Sequence, residues 1–103
     1  MAYRVIKFRR AERDIIEIGK YIALDLFSPE SASKLLDELE INMQSLNDMP
    51  KRFPLVRDSE LAKLGIRSMP VKHYLVFYTV DEDAKAVNII SVMYRKRDWK
   101  NLL

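Results

Sequence analysis

Two hydrophobic periods divide this chain. In its last third, HYLVFYTV (73–80) and AVNIISVMY (86–94) are apolar at almost every position. Along the first, Tyr74, Val76, Tyr78 and Val80 point one way, while Leu75, Phe77 and Thr79 point the other. Strands that are apolar on both faces belong at the centre of a sheet covered on both sides. Residues 65–71 read as a preceding strand, which Pro70 marks as an edge or brings to its end. The polar run 81–85 is the turn of the long hairpin. The upstream helices are expected to cover one face of this sheet, and a second polypeptide the other.

Residues 3–8 mix β-branched and aromatic side chains and predict a short first strand. From Arg10 the period becomes helical, with Ala11, Ile15, Ile18, Ile22 and Leu26 on one stripe. Gly19 lies beside that stripe and reads either as a close helix–helix approach or as a tolerated helix glycine. Ser28, Pro29 and Glu30 restart a helix, as cap, first residue and dipole partner. Ala32, Leu35, Leu36, Leu39, Met43 and Leu46 make a second stripe that runs to Pro50. So short a connection requires an antiparallel helical hairpin. Residues 51–64 read as an irregular surface loop. Residues 98–103 read as a last helical turn that packs Trp99 and Leu102. The order is β-αα-βββ: an α+β fold, an antiparallel-rich small sheet with a helical hairpin on one face, in one domain over residues 1–103.

At 103 residues, 49% hydrophobic and 32% charged, the chain is long and apolar enough for one hydrophobic core. It has no cysteine, which excludes disulfides and fits a reducing compartment. Charges come too early in MAYRVIKFRRAERD for a signal peptide, and no apolar run approaches the roughly 20 residues of a membrane span. A soluble, cytoplasmic protein without membrane association is expected. The net charge of +3 is unevenly spread. Residues 28–50 are net −4, whereas 51–72 are net +4 and 95–100 add +3. One-sided basic character suits a polyanion or an acidic protein partner.

Absent chemistry narrows the function. Two glycines leave no dinucleotide fingerprint or phosphate loop. One histidine and no cysteine exclude the usual zinc sites, and no serine sits in a nucleophile elbow. The acidic turn Asp81, Glu82, Asp83 lacks calcium-loop spacing. Neither metal nor cofactor is expected. What remains is a basic and aromatic set near the sheet: Arg67, Lys72, His73, Tyr94, Arg95 and Arg97. Were RNA the substrate, its 2′-hydroxyl would attack the adjacent phosphate without metal, helped by a base, an acid and cations. The imidazole of His73 is a side chain suited to proton transfer and the guanidinium of Arg95 suits phosphate. Strand-end cations that simply reach water are the competing reading.

The β-αα-βββ order, the segment AERDIIEIGKYI (11–22), the HYLVFYTV strand and the closing ISVMYRKRD together resemble the RelE/ParE superfamily of bacterial type II toxins. The resemblance covers almost the whole chain. It implies a small basic toxin that arrests growth, neutralised by a cognate antitoxin whose C-terminal segment wraps it. RelE-like members cleave messenger RNA in the ribosome; ParE-like members poison DNA gyrase. Of the RelE catalytic set, the two strand-2 lysines fall on Ile66 and Ser68, and the strand-3 arginine on Leu75. Only the arginine after strand 4 is matched, by Arg95, while the C-terminal tyrosine falls near Asn101. The long helical hairpin and the R-x-R-D exit resemble ParE. On that side of the resemblance Arg67, Arg95 and Arg97 would contact gyrase. On the endoribonuclease side Arg95 would hold phosphate, with His73, Lys72 or Tyr94 moving protons. A non-toxic interaction domain of the same fold is the third reading.

Overall fold

Strand 3 lies inside a four-stranded sheet of order β1-β4-β3-β2, as its two apolar faces require. The computed structural model describes residues 2–103. The strands are β1 (Arg4–Lys7), β2 (Arg67–Val71), β3 (Tyr74–Asp81) and β4 (Ala86–Tyr94). The last three form an antiparallel meander, and β1 joins β4 in parallel. Pro70 sits on the edge strand, where its missing N–H breaks no ladder. Phe77 is paired with Ser91 and Tyr78 with Ile89, so Ile90 is the extra residue of a β-bulge.

The helical hairpin is α1 (Arg9–Lys20) and α2 (Pro29–Gln44). Its apolar stripes meet one face of the sheet. Leu35, Leu39, Met43 and Leu46 bury against Val76, Tyr78, Val87, Ile89 and Val92. Each fully buried aliphatic side chain of this kind contributes about 1.5–3 kcal/mol. The Tyr78 hydroxyl, buried with its ring, donates to the Pro50 carbonyl at 2.6 Å. A β-carbon on buried Gly19 would meet Leu36 Cδ1 at 3.1 Å, so the glycine does permit the close helix contact.

The hairpin tip departs from a regular helix. Residues Tyr21–Asp25 form a wider π turn, with the Leu26 N–H donating to the Tyr21 carbonyl. That extra residue rotates Leu26 out of the stripe, leaving it exposed rather than in the expected core. Phe27 follows at φ +52° and is 88% exposed. Pro29 occupies the first turn of α2 as expected, but Ser28 caps no backbone N–H; its hydroxyl donates to that of Ser31 at 2.7 Å.

The opposite face of the sheet corrects the expectation of a surface left for a partner. Phe77, Met93, Val56 and Ile66 form a second core, packed by Leu75, Ile90, Leu61 and Trp99. Phe77 is 0% exposed, with the Trp99 ring 5.3 Å away. The cover comes from the stretch read as a loop. It contains a short helix, α3 (Ser59–Lys63), capped by Asp58, whose carboxylate accepts the Leu61 N–H at 3.1 Å. Gly65, at φ +80°, ends α3 rather than opening strand 2. Its N–H donates to Ala62 and that of Ile66 to Leu61, the two bonds of a Schellman close. The final helix, α4 (Trp99–Leu102), completes the lid. It packs Trp99 and Leu103, whereas Leu102 is exposed.

Candidate functional site

Four of the six candidate residues converge where β2 turns into β3 and β4 ends. Lys72 and His73 form the turn between the paired Val71 and Tyr74, with Lys72 at φ +55°. The Arg95 N–H donates to the His73 carbonyl at 2.8 Å, and its guanidinium donates to the Lys72 carbonyl at 3.1 Å. Arg95 therefore lies across this turn with most of its donors in solvent. Tyr94 stacks edge-to-face on Tyr74, with centroids 5.8 Å apart. The Lys72 ammonium stands 3.6 Å from Glu38 on α2. Both groups are largely exposed, so this pair fixes little.

Arg67 is elsewhere. It pairs with Tyr78, four residues along β3 from Tyr74, or about 13 Å at ~3.3 Å per residue. Its guanidinium donates to the Phe53 carbonyl at 2.7 Å and tethers the 51–53 segment, so it serves the fold. Arg97 lies near the group, on the far side of Tyr94.

The Tyr74–Tyr94 pair separates two hollows. The smaller, about 430 Å³, is lined by Lys72, His73 and Tyr94 together with Leu35 and Glu38 from α2. It brings an imidazole, a phenol and an ammonium to one wall, the groups a metal-independent RNA cleavage would need. Its ammonium, however, is shared with Glu38. The larger, about 580 Å³, lies between α1 and β4. Asp14 and Glu17 of α1 and Tyr21 of the π turn that follows line it on one side, with Tyr74, Tyr94 and Arg97 on the other. Burial pushes the Tyr74 hydroxyl above its ordinary value, and the neighbouring Tyr94 and Tyr21 hydroxyls add to the rise. Tyr74 therefore stays a neutral phenol at physiological pH.

The α1 wall was not singled out from sequence. Asp14, Ile18 and Tyr21 follow one another at four and three residues, so they share a helix face bordering the core stripe. That spacing is the available signal; only the fold shows that the face looks onto β4. Among the described residues no group of three or more metal-ligating side chains gathers.

Residues 5–99 match the model of a family described as ParE toxin of type II toxin–antitoxin system, parDE. No curated protein matches the chain by sequence. The fold is similar to that of a chain from the chromosomal ParDE system of P. aeruginosa. The TM-score is 0.73 at 19% identity, over 90% of this chain and 96% of that one. It is also similar to the free form of an E. coli RelE mutant, with TM-score 0.67 and 17% identity over the whole of both chains. A chain of the RelBE2 toxin–antitoxin complex of Mycobacterium tuberculosis aligns with TM-score 0.63. There the identity is 24%, over 94% of this chain and 95% of that one.

Proposed function

Since the chain belongs to the ParE toxin family of type II toxin–antitoxin systems, we propose that it arrests growth by poisoning DNA gyrase and that a cognate antitoxin neutralises it. The observation that favours gyrase over messenger RNA is that two of the positions where RelE-like nucleases carry cations, Ile66 and Leu75, are apolar here, while a third is Ser68. Ile66 is buried in the second core, and Leu75 packs against it. Cations at those points would have to abandon that packing. Arg95, exposed and braced by its bond to Lys72, is then a protein contact rather than half of a catalytic set, with Arg97 beside it.

The antitoxin follows from the family description and from the RelBE2 neighbour, which is a toxin–antitoxin complex. The partner's role changes from that expected at the outset: the sheet covers itself, so the antitoxin blocks a working surface instead of completing a core. No helix among the described residues is long and apolar enough to cross a membrane. A gyrase poison works in the cytoplasm, and the 103 residues act as a single unit.

The second reading, a ribosome-dependent endoribonuclease, draws on the shared hollow of His73 and Tyr94. Translating ribosomes separate the two readings. Messenger left intact by the purified protein, in cells that stop dividing on its expression, supports the gyrase reading. Messenger cut within codons replaces it with the nuclease, and undisturbed growth removes toxicity altogether.

A further inference from the structure

The side of the helical hairpin turned away from the sheet has an apolar groove along its centre. It runs between α1 and α2, encloses about 510 Å³, and has Gly19 and Leu36 on its floor. Ile16 and Leu24 stand on its α1 rim, 55% and 65% exposed. A hairpin that packs one face on a sheet is expected to be polar on the other. Here the polar groups are confined to the two rims, and the rims differ in charge.

On α1, Lys20 lines the groove, and Arg13, three residues before Ile16, shares its row. Asp14 and Glu17 turn instead to the hollow beside β4, so Glu12 is the one carboxylate of α1 left to temper this rim. On α2, Asp37 follows Ser33 of the groove by four residues, and Glu30 lies two turns before Asp37 on the same row. The only lysine of α2, Lys34, lines the hollow of His73. Arg13, Lys20, Glu30 and Asp37 are all exposed, and among the described residues none of them has an ion-pair partner. A surface with one cationic rim, one anionic rim and an apolar centre complements itself.

We propose that this chain self-associates through the outer face of its helical hairpin, as a two-fold stack in which Lys20 of each copy pairs with Asp37 of the other. The charges select the axis. A two-fold axis across the helices lays α1 on α1 and sets cations against cations. An axis along the helices lays α1 on α2 of the second copy, so each cationic rim meets a carboxylate rim. That operation preserves level along the hairpin. Gly19 stands against Leu36, so Lys20 is level with Asp37 and meets Asp37 of the second copy. Ile16 and Leu24 of each copy then cover the groove of the other. The face is roughly 20 Å on each side, so the pair buries on the order of 1,000 Å² in all, an area that suits a reversible dimer. The proposal does not depend on the toxin reading.

The experiment follows the whole chain by sedimentation velocity from micromolar to millimolar concentration. The native chain, 12.2 kDa as a monomer, should move towards twice that mass as concentration rises. Lys20→Glu and Asp37→Lys should each weaken association by about tenfold. Both positions are exposed, so circular dichroism should stay unchanged. The two changes combined in one chain should restore the dimer, because the pair is then rebuilt with its charges exchanged. A native chain that stays monomeric throughout overturns the proposal and leaves the groove to a different protein. It is equally overturned by a dimer indifferent to Asp37→Lys, which would place α1 on α1, or by a combined variant that associates no better than the single ones.

Discussion

The Ser91 hydroxyl on the last strand donates to the Asp14 carboxylate on the first helix at 2.6 Å, across 77 residues of sequence. The same carboxylate oxygen accepts the Val92 N–H. The bulge at Ile90 and the early end of β1 would otherwise leave both donors buried without partners, since Ser91 is 0% exposed. Asp14 thus holds α1 on β4 and forms one wall of the hollow. Asp14→Ala should cost about 1–3 kcal/mol by leaving two donors unsatisfied, and Ser91→Ala distinctly less, because it removes a group along with its need. Urea unfolding of the two single variants and the double variant checks this. Additive losses would mean that the bond couples nothing.

Gly19 makes a sharper demand on volume. With Leu36 Cδ1 at 3.1 Å from a built β-carbon, a larger side chain forces the hairpin apart. Gly19→Leu should destabilise by about 1–3 kcal/mol and lower the melting temperature by about 4–8 °C for each kcal/mol. An unchanged melting temperature would show that the two helices do not need their close approach.

Phe77 and Phe27 separate the second core from the surface. Phe77 is sealed beneath Trp99, whereas Phe27 projects from the hairpin tip. Phe77→Ala should cost about 3–5 kcal/mol, a large part of a domain's stability, and Phe27→Ala should stay within about 0.5 kcal/mol. Thermal melts decide. A mild Phe77 variant would mean that α3 and α4 do not cover the sheet in solution.

Glu40 reports on acid sensitivity. The Lys7 ammonium, 2.7 Å away, is the main cause holding its carboxyl below the ordinary 4.5, so the charged form is favoured in the fold. Its contribution is present above the unfolded value and lost as pH falls through the lowered one. Glu40→Gln should therefore leave a flatter decline of stability below about pH 4.5 with a small change at neutral pH, the pair being only partly buried. Chemical denaturation across pH 3–7 tests it; an equally steep decline would free Glu40 of this role.

Local pattern carried most of the architecture. The doubly apolar β3, the stripes of α1 and α2, Pro70 on an edge and Gly19 against Leu36 are all readable from spacing and residue type. Where reading stopped, long-range packing decided. Residues 51–64 look irregular because α3 has only five residues, too few to show a period, and its Asp58 cap and Gly65 close were hidden in a basic stretch. A short helix and four C-terminal residues then cover a face that seemed to need a partner. At the site, Lys72, His73, Tyr94 and Arg95 came together because adjacent strand ends dictate it. Arg67 did not, and Asp14, Glu17 and Tyr21 were missed because nothing local tells which helix face looks onto β4.

The most direct measurement incubates purified gyrase, supercoiled plasmid and ATP with this chain or its Arg95→Ala variant, and follows cleaved DNA after detergent and protease. Arg95 is exposed and, among the described residues, its side chain bonds only to the Lys72 carbonyl, so the variant should keep its fold by circular dichroism. The gyrase reading predicts that the native chain accumulates linear plasmid and that Arg95→Ala lowers it at least tenfold, ~1.4 kcal/mol of binding. Fully supercoiled product with the native chain, at concentrations that arrest growth in cells, would contradict it.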